Sequence, residues 1–254
     1  MPRAGVQTSP NDLTTPVMGG APRFTGVRAV LLDIEGTTTP VDFVHQTLFP
    51  FARARVAAFL DGHPEEASTD LALLHDEYEQ DRARGLEPPP WDPVTYVHWL
   101  MDQDRKSTGP KSLQGKIWEQ GYRAGVLRGD VYPDVAPALA RWRRQGKRIG
   151  IYSSGSVLAQ KLLFSHSTAG DLTPFLEAHF DTTTGPKKEA ESYRKIAAAL
   201  ALPASTVLFL SDVVAELDAA RDAGMRTSLC VRDRAAGPND SDHLVVRSFD
   251  EVPL

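Results

Sequence analysis

The chain of 254 residues is poor in several things, and each shortage excludes a class of protein. It has one cysteine, Cys230, which excludes an internal disulfide and a multi-cysteine zinc site. That cysteine lies in the apolar segment SLCV, where a thiol reads as a small buried side chain. No stretch of 18 apolar residues occurs, so no membrane span is expected. The first residues lack the apolar stretch of a secretory signal, and the expected location is cytoplasmic. Positive charge is not in excess either, with 28 Lys and Arg against 33 Asp and Glu and a net charge of −5. Nucleic-acid binding needs a dense field of cations and is not expected. One cationic cluster does exist, Arg141, Arg143, Arg144, Lys147 and Arg148. It falls at the end of an expected helix, where positive charge complements the helix dipole.

What is present is alternation. VRAVLLD (27–33), RIGIYSS (148–154) and TVLFLSD (206–212) are short apolar runs that end in small polar or acidic residues. Such runs suit strands buried on both faces of a parallel sheet. RTSLCV (226–231) and HLVV (243–246) are weaker strand candidates. Between them lie helical patterns: DVAPALARWRRQG has Pro133 near its start and Gly146 past its end, and VVAELDAARDAG aligns Val213, Leu217 and Ala220. The expected fold is α/β, with a doubly wound parallel sheet.

The gap between the first two strands is far longer than a crossover needs. Residues 42–128 therefore read as an inserted, mainly helical domain, with 27–41 and 129–254 forming the core domain and 1–26 a disordered leader. The insertion holds Trp91, Trp99 and Trp118, three of the four tryptophans. It reads as a small helical bundle with its own core, to which an apolar pocket facing the main domain can be added.

In an open parallel sheet, ligands bind beyond the carboxyl ends of the strands. Those ends carry Asp33, Glu35, Gly36 and Thr37 on the first, Ser153 and Ser154 on the second, and Asp212 on a later one, while the loop GPKKE supplies Lys187 and Lys188. Asp33 and Asp212 can share a hard divalent cation such as Mg²⁺ through oxygen. The serine hydroxyls and nearby N–H groups make an anion cradle, to which a lysine adds a point charge. Together these suit a phosphoryl group. One carboxylate can attack phosphorus, and Glu35 can protonate the leaving oxygen and then activate water. Each element has a plainer alternative: Ser-Ser and Asp212 as helix caps, Lys187 and Glu216 as solvated side chains.

DIEGTT, YSSGS, GPKK and LSD match in order the four motifs of the haloacid dehalogenase (HAD) superfamily. Longer stretches, among them LLDIEGTTTPVDFVHQTLFPFA, IYSSGSVLAQKLLFSHS and LFLSDVVAELDAARDAGM, make residues 27–232 resemble one family within it throughout. That family is acireductone synthase, the bifunctional enolase-phosphatase of methionine salvage. The resemblance implies a HAD-like core with a helical cap, and a monomer using one Mg²⁺. It implies enolisation of 2,3-diketo-5-methylthiopentyl-1-phosphate, then hydrolysis of the enol phosphate to 1,2-dihydroxy-3-keto-5-methylthiopentene. Asp33 is then nucleophile and metal ligand, Asp212 the second ligand, and Glu35 a ligand through its carbonyl with its side chain as acid/base. Ser153, Ser154 and Lys187 bind the substrate phosphate, Lys187 rather than Lys188 being assigned that contact. Most HAD phosphatases have Asp where this chain has Glu35, and the acireductone synthases share the Glu. The base for enolisation is left between Glu35 and a cap group, with His45 and His98 as candidates by type. Glu216 is either a supporting acid or a solvated helix residue. A general sugar-phosphate phosphatase and a non-catalytic phosphate-binding module of this fold are the alternatives.

Overall fold

The computed structural model describes residues 24–103, 105, 107–232, 241–252 and 254. Most of the expected leader, residues 1–23, lies outside the described residues. The chain opens with β1 (Ala29–Leu32) and then leaves the sheet for a run of helices: α1 (Val41–Phe43), a π-helical turn (Val44–Leu48), α2 (Phe49–Arg53), α3 (Val56–Gly62), α4 (Pro64–Ala83), α5 (Pro93–Asp102) and α6 (Thr108–Arg123). It returns through α7 (Val135–Arg144), β2 (Arg148–Tyr152), α8 (Val157–Ser165), β3 (Ala178–Phe180), α9 (Ala190–Ala199), β4 (Val207–Ser211), α10 (Val214–Asp222), β5 (Arg226–Cys230) and β6 (Leu244–Val246). The six strands are parallel in the order β3-β2-β1-β4-β5-β6.

Period-two side-chain alternation explains why the central strands read as unbroken apolar runs. Val30 and Leu32 of β1 join Ile149, Ile151, Leu208 and Leu210 in one apolar cluster. Ala29 and Leu31 join Tyr152, Val207 and Phe209 in the other. Both faces are covered by helices, so both sets must be apolar. The edge strand β3 has no such run: Ala-His-Phe is short and half-buried, and it gives no strand signal in the sequence.

The helices of the insertion pack on one another, α4 against α3, α5 and α6, and their apolar side chains run on without a break into the core beside the sheet. Phe43, Leu48, Phe59, Leu74, Tyr96, Leu113 and Ile117 belong to the same cluster as Val30, Leu32 and Trp142 on one face of the sheet. The tryptophans of the insertion pack locally, with Trp91 against Tyr78, Tyr96 and His75 and Trp99 stacked on Tyr96. The PPPWDP break is the loop before α5, whose N-cap Asp92 accepts from Thr95 N–H at 2.8 Å. The cationic cluster is absorbed by the fold. Arg141 holds Asp250 and the Phe249 carbonyl, Arg143 and Arg148 hold Glu177, and Lys147 donates to the Val27 carbonyl. Cys230 is buried and burial pushes its thiol up to about 12. No helix among the described residues is long and apolar enough to cross a membrane.

Asp134 stands in the N-cap position of α7 but does not cap it. Its carboxylate instead accepts from Arg232 Nη1 at 2.7 Å, Ser248 Oγ at 3.0 Å and the Phe249 N–H, pinning the C-terminal segment to the core. Burial works against this carboxylate's charge, but the Arg232 guanidinium and the N–H and O–H donors outweigh it and hold its pKa below the usual range. A depressed carboxylate contributes stability above its unfolded-state pKa of about 3.9 and loses it as pH falls through the lower folded value. Asp134→Ala should therefore cost about 3 kcal/mol at neutral pH in urea unfolding, and the difference from the unmutated protein should shrink as the pH drops below about 4.

Candidate active site

The order β3-β2-β1-β4 reverses direction of winding between β1 and β4, and a crevice opens at the strand ends at such a switch point. Asp33 follows β1 and Asp212 follows β4, and the two strands run in register, Leu32 opposite Leu210. Asp33 N–H donates to the Leu210 carbonyl at 3.0 Å, fixing the strand end. The next residues fold into a tight turn in which the Ile34 carbonyl accepts from the N–H groups of Thr37, Thr38 and Thr39. Gly36 takes φ +69, and a Cβ there would lie 2.1 Å from Asp212 Oδ2. The glycine is thus required twice, for its dihedral and to let the second carboxylate approach.

Lys187 arrives from the loop before α9. Its ammonium sits 2.6 Å from Asp33 Oδ1 and 2.6 Å from Glu216 Oε2, with 9% of the side chain exposed. Three hydroxyls hold the loop that delivers it: Tyr152 donates to the Gly185 carbonyl at 2.9 Å, Ser192 to that of Pro186 at 2.8 Å and Tyr193 to that of Lys187 at 2.7 Å. Burial alone would lower the lysine's pKa, but Asp33 and Glu216 more than offset it and push it up, so the ammonium stays charged. Lys188 is exposed. Ser211 Oγ donates to Glu216 Oε2 at 3.1 Å and lies 3.5 Å from Asp33 Oδ2. Glu216 is therefore part of the site rather than a solvated helix residue. Asp212 does not cap α10, whose N-cap is Val213.

The carboxylates outnumber the lysine. Burial first, then the charge of Asp33, raises Asp212 to about 7, and the same two causes raise Glu216. Three carboxylates around one ammonium leave a negative excess that a divalent cation would neutralise, so the donor chemistry fits a hard metal ion. Among the described residues no group of three His, Cys, Asp or Glu side chains stands at metal-holding spacing. Among the described residues the side chains of Asp33, Glu35 and Asp212 therefore do not gather as a three-carboxylate group.

Ser153 is buried after β2, where its N–H donates to the Phe180 carbonyl at 3.2 Å and its Oγ accepts from Gly155 N–H at 3.2 Å. The helix cap of α8 is Ser156, which accepts from Ala159 N–H. Neither Ser153 nor Ser154 is the cap of α8. Both line a cavity of about 450 Å³, with Glu35 beside them and Val44, Leu48, Phe49, Met101, Trp118 and Leu163 as apolar walls. The π-helical turn supplies part of this wall, and Trp118 Nε1 donates to the Leu48 carbonyl at 2.8 Å. His45 lines the cavity; His98 does not, and its ring bonds the Arg53 carbonyl at 3.0 Å. Sequence reasoning missed Gln160, a buried residue of α8 that donates to the carbonyls of Gly155 and Phe180 and borders the cavity. Its one sequence signal is a polar residue within an apolar helix.

A sheet of this order, with Asp33, Lys187 and Asp212 at its switch point, defines a hydrolase core, and the family model of haloacid dehalogenase-like hydrolases matches residues 27–224. Enolase-phosphatase E1 of Synechococcus elongatus is 53% identical over 234 residues, 89% of this chain and 98% of that protein. Enolase-phosphatase E1 of Sorangium cellulosum is 50% identical, over 89% of this chain and 97% of that protein. The crystal structure of UTR4 protein from Saccharomyces cerevisiae superposes with a TM-score of 0.74 at 34% identity, over 89% of this chain and 99% of that one. The chain belongs to the enolase-phosphatase E1 family of haloacid dehalogenase-like hydrolases.

Lys187→Met removes the only ammonium between Asp33 and Glu216. It should lower phosphate release by at least ~10²-fold and lower the thermal midpoint by leaving buried carboxylates unpaired. Lys187→Met combined with Glu216→Gln should recover part of the midpoint and none of the activity. Calorimetry and a phosphate assay on the same preparations check both.

Proposed function

We propose that the chain catalyses the acireductone synthase reaction of methionine salvage. It enolises 2,3-diketo-5-methylthiopentyl-1-phosphate and then hydrolyses the enol phosphate to 1,2-dihydroxy-3-keto-5-methylthiopentene and phosphate. The observation that carries this reading is the Lys187–Asp33 contact of 2.6 Å at the switch point, next to a cavity with a polar floor and apolar walls. A polar phosphate end and an apolar methylthio tail match those two surfaces, since sulfur packs well on rings such as Phe49 and Trp118. Residues 42–128 act as the cap over a core of 27–41 and 129–254.

In the phosphatase half, Asp33 attacks phosphorus while Ser153, Ser154 and Lys187 hold the phosphoryl oxygens. The bond from phosphorus to the enol oxygen breaks, and Glu35 gives its proton to that oxygen. The aspartyl-phosphate is then opened by water, whose proton returns to Glu35, freeing phosphate and Asp33. Glu216 keeps Lys187 from neutralising Asp33 outright, because the ammonium is shared between two carboxylates. Asp33 and Asp212, with the main-chain carbonyl of Glu35, would hold one Mg²⁺, which supplies positive charge against the phosphate and diketone oxygens when bound. In the enolase half, a proton beside a carbonyl must leave. Glu35 and His45 are the groups bordering the cavity that can accept it. Closure of the cap excludes water from the reactive enediol.

Asp33→Asn should abolish phosphate release from the diketone phosphate with the circular dichroism spectrum unchanged, and a chelator should do the same to the unmutated protein. An ultraviolet-absorbing enediol should form from this substrate. Retained turnover in Asp33→Asn, or faster hydrolysis of sugar phosphates than of the diketone phosphate, would overturn the reading.

A further inference from the structure

The turn that carries Glu35 has an anchor outside all four motifs. Arg232, just past β5, is largely buried, with 8% of its side chain exposed. Its Nε and Nη2 donate to one acceptor, the Thr37 carbonyl, at 2.9 and 2.6 Å. Nη1 donates to Asp134 Oδ2 at 2.7 Å and lies 3.5 Å from the Arg247 carbonyl. The guanidinium carbon lies 4.4 Å from the Tyr132 ring centroid and 4.5 Å from that of Phe249. The same Tyr132 donates its N–H to the Thr38 carbonyl at 3.0 Å. Thr37, Thr38 and Thr39 are fully buried, and Glu35 is tied to this base by a bridge to Thr39 and by the Gly36 N–H to Thr39 carbonyl bond of 2.8 Å.

A salt bridge alone would need one nitrogen and one carboxylate. Here a planar cation, flanked by two rings, directs two donors at a single main-chain oxygen one residue from Gly36 and two from Glu35. A lysine cannot reproduce that fork. The lever is short: the Thr37 carbonyl fixes the turn, the turn fixes Glu35 at the cavity, and Gly36 packs against Asp212. We propose that Arg232 is a positioning residue for hydrolysis, holding the turn so that Glu35 meets the leaving oxygen and the attacking water. The inference rests on the reading of Glu35 as acid/base given above. It assigns Arg232 no contact with substrate, so its loss should act on kcat and not on binding. Misplacement of a reacting group by about 1 Å can cost ~10²-fold in rate.

Arg232→Lys, assayed at saturating Mg²⁺ and well below its unfolding temperature, should lower kcat by about 10- to 100-fold. KM and the inhibition constant of inorganic phosphate should stay within about twofold, since Ser153, Ser154 and Lys187 are untouched. Arg232→Ala should regain kcat when ethylguanidinium is added at millimolar concentration, because the slot between Tyr132 and Phe249 fits a planar cation. Unchanged kcat in Arg232→Lys, or a rise in KM and phosphate inhibition constant parallel to the loss of kcat, would overturn the proposal. Glu35→Gln, run alongside, separates the two claims: full kcat there sinks the acid/base reading, whereas a loss there with full kcat in Arg232→Lys sinks only the role of Arg232.

Discussion

The site depends on one buried ammonium shared between two carboxylates. Lys187 is charged because Asp33 and Glu216 face it at equal distances, and those carboxylates are tolerable in the interior because the lysine is there. The loop before α9 exists in its observed form to deliver that group: three successive carbonyls are tied down by three hydroxyls from β2 and α9. What is left over is negative charge around Asp212, and this is the part of the balance that a divalent cation completes.

The core was legible because the central strands are buried twice. β1 and β4 must be apolar at every position, so their ends stand out as abrupt changes to Asp33 and to Ser211-Asp212. The same physics hides β3. An edge strand of three half-buried residues has no need of an apolar run, and Ala178–Phe180 shows none. Glu216 was undecidable in the sequence because a helix residue one turn after Asp212 faces the site or the solvent according to the twist of the preceding strand. Ser153 and Asp212 suggested helix caps by residue type. The actual caps lie one or three positions further on, at Val213 and Ser156. Where the packing of the insertion ends and that of the core begins was not legible for a related reason. Apolar spacing marks which face of a helix is buried, and says nothing of whether the partner is a neighbouring helix or the sheet.

The insertion and the core divide the labour of recognition. Strand ends bring charged and hydroxyl groups that any phosphate ester would satisfy. The insertion lines the cavity from the π-helical turn, α2, α5 and α6, with apolar Val44, Leu48, Phe49, Met101 and Trp118 beside the cations Arg53, Arg105 and Lys111. On the function proposed above, the strand ends supply the reacting groups, and the insertion supplies the side of the cavity that would face the rest of the substrate.

The π-helical turn between α1 and α2 has a consequence for how that wall is phased. A π turn holds one residue more than an α turn, and each α-helical residue advances the side chains by about 100°. Deleting a single residue from 44–48 and letting the segment relax to an α-helix would leave the side chains after it nearly in phase, because the π turn already absorbs the extra residue. Phe49 and Arg53 would keep their places in the wall, and the residues re-aimed would be those of the turn itself, Val44, His45 and Leu48. One inserted residue thus adds a side chain to the wall at a single point while the helix that follows keeps its orientation.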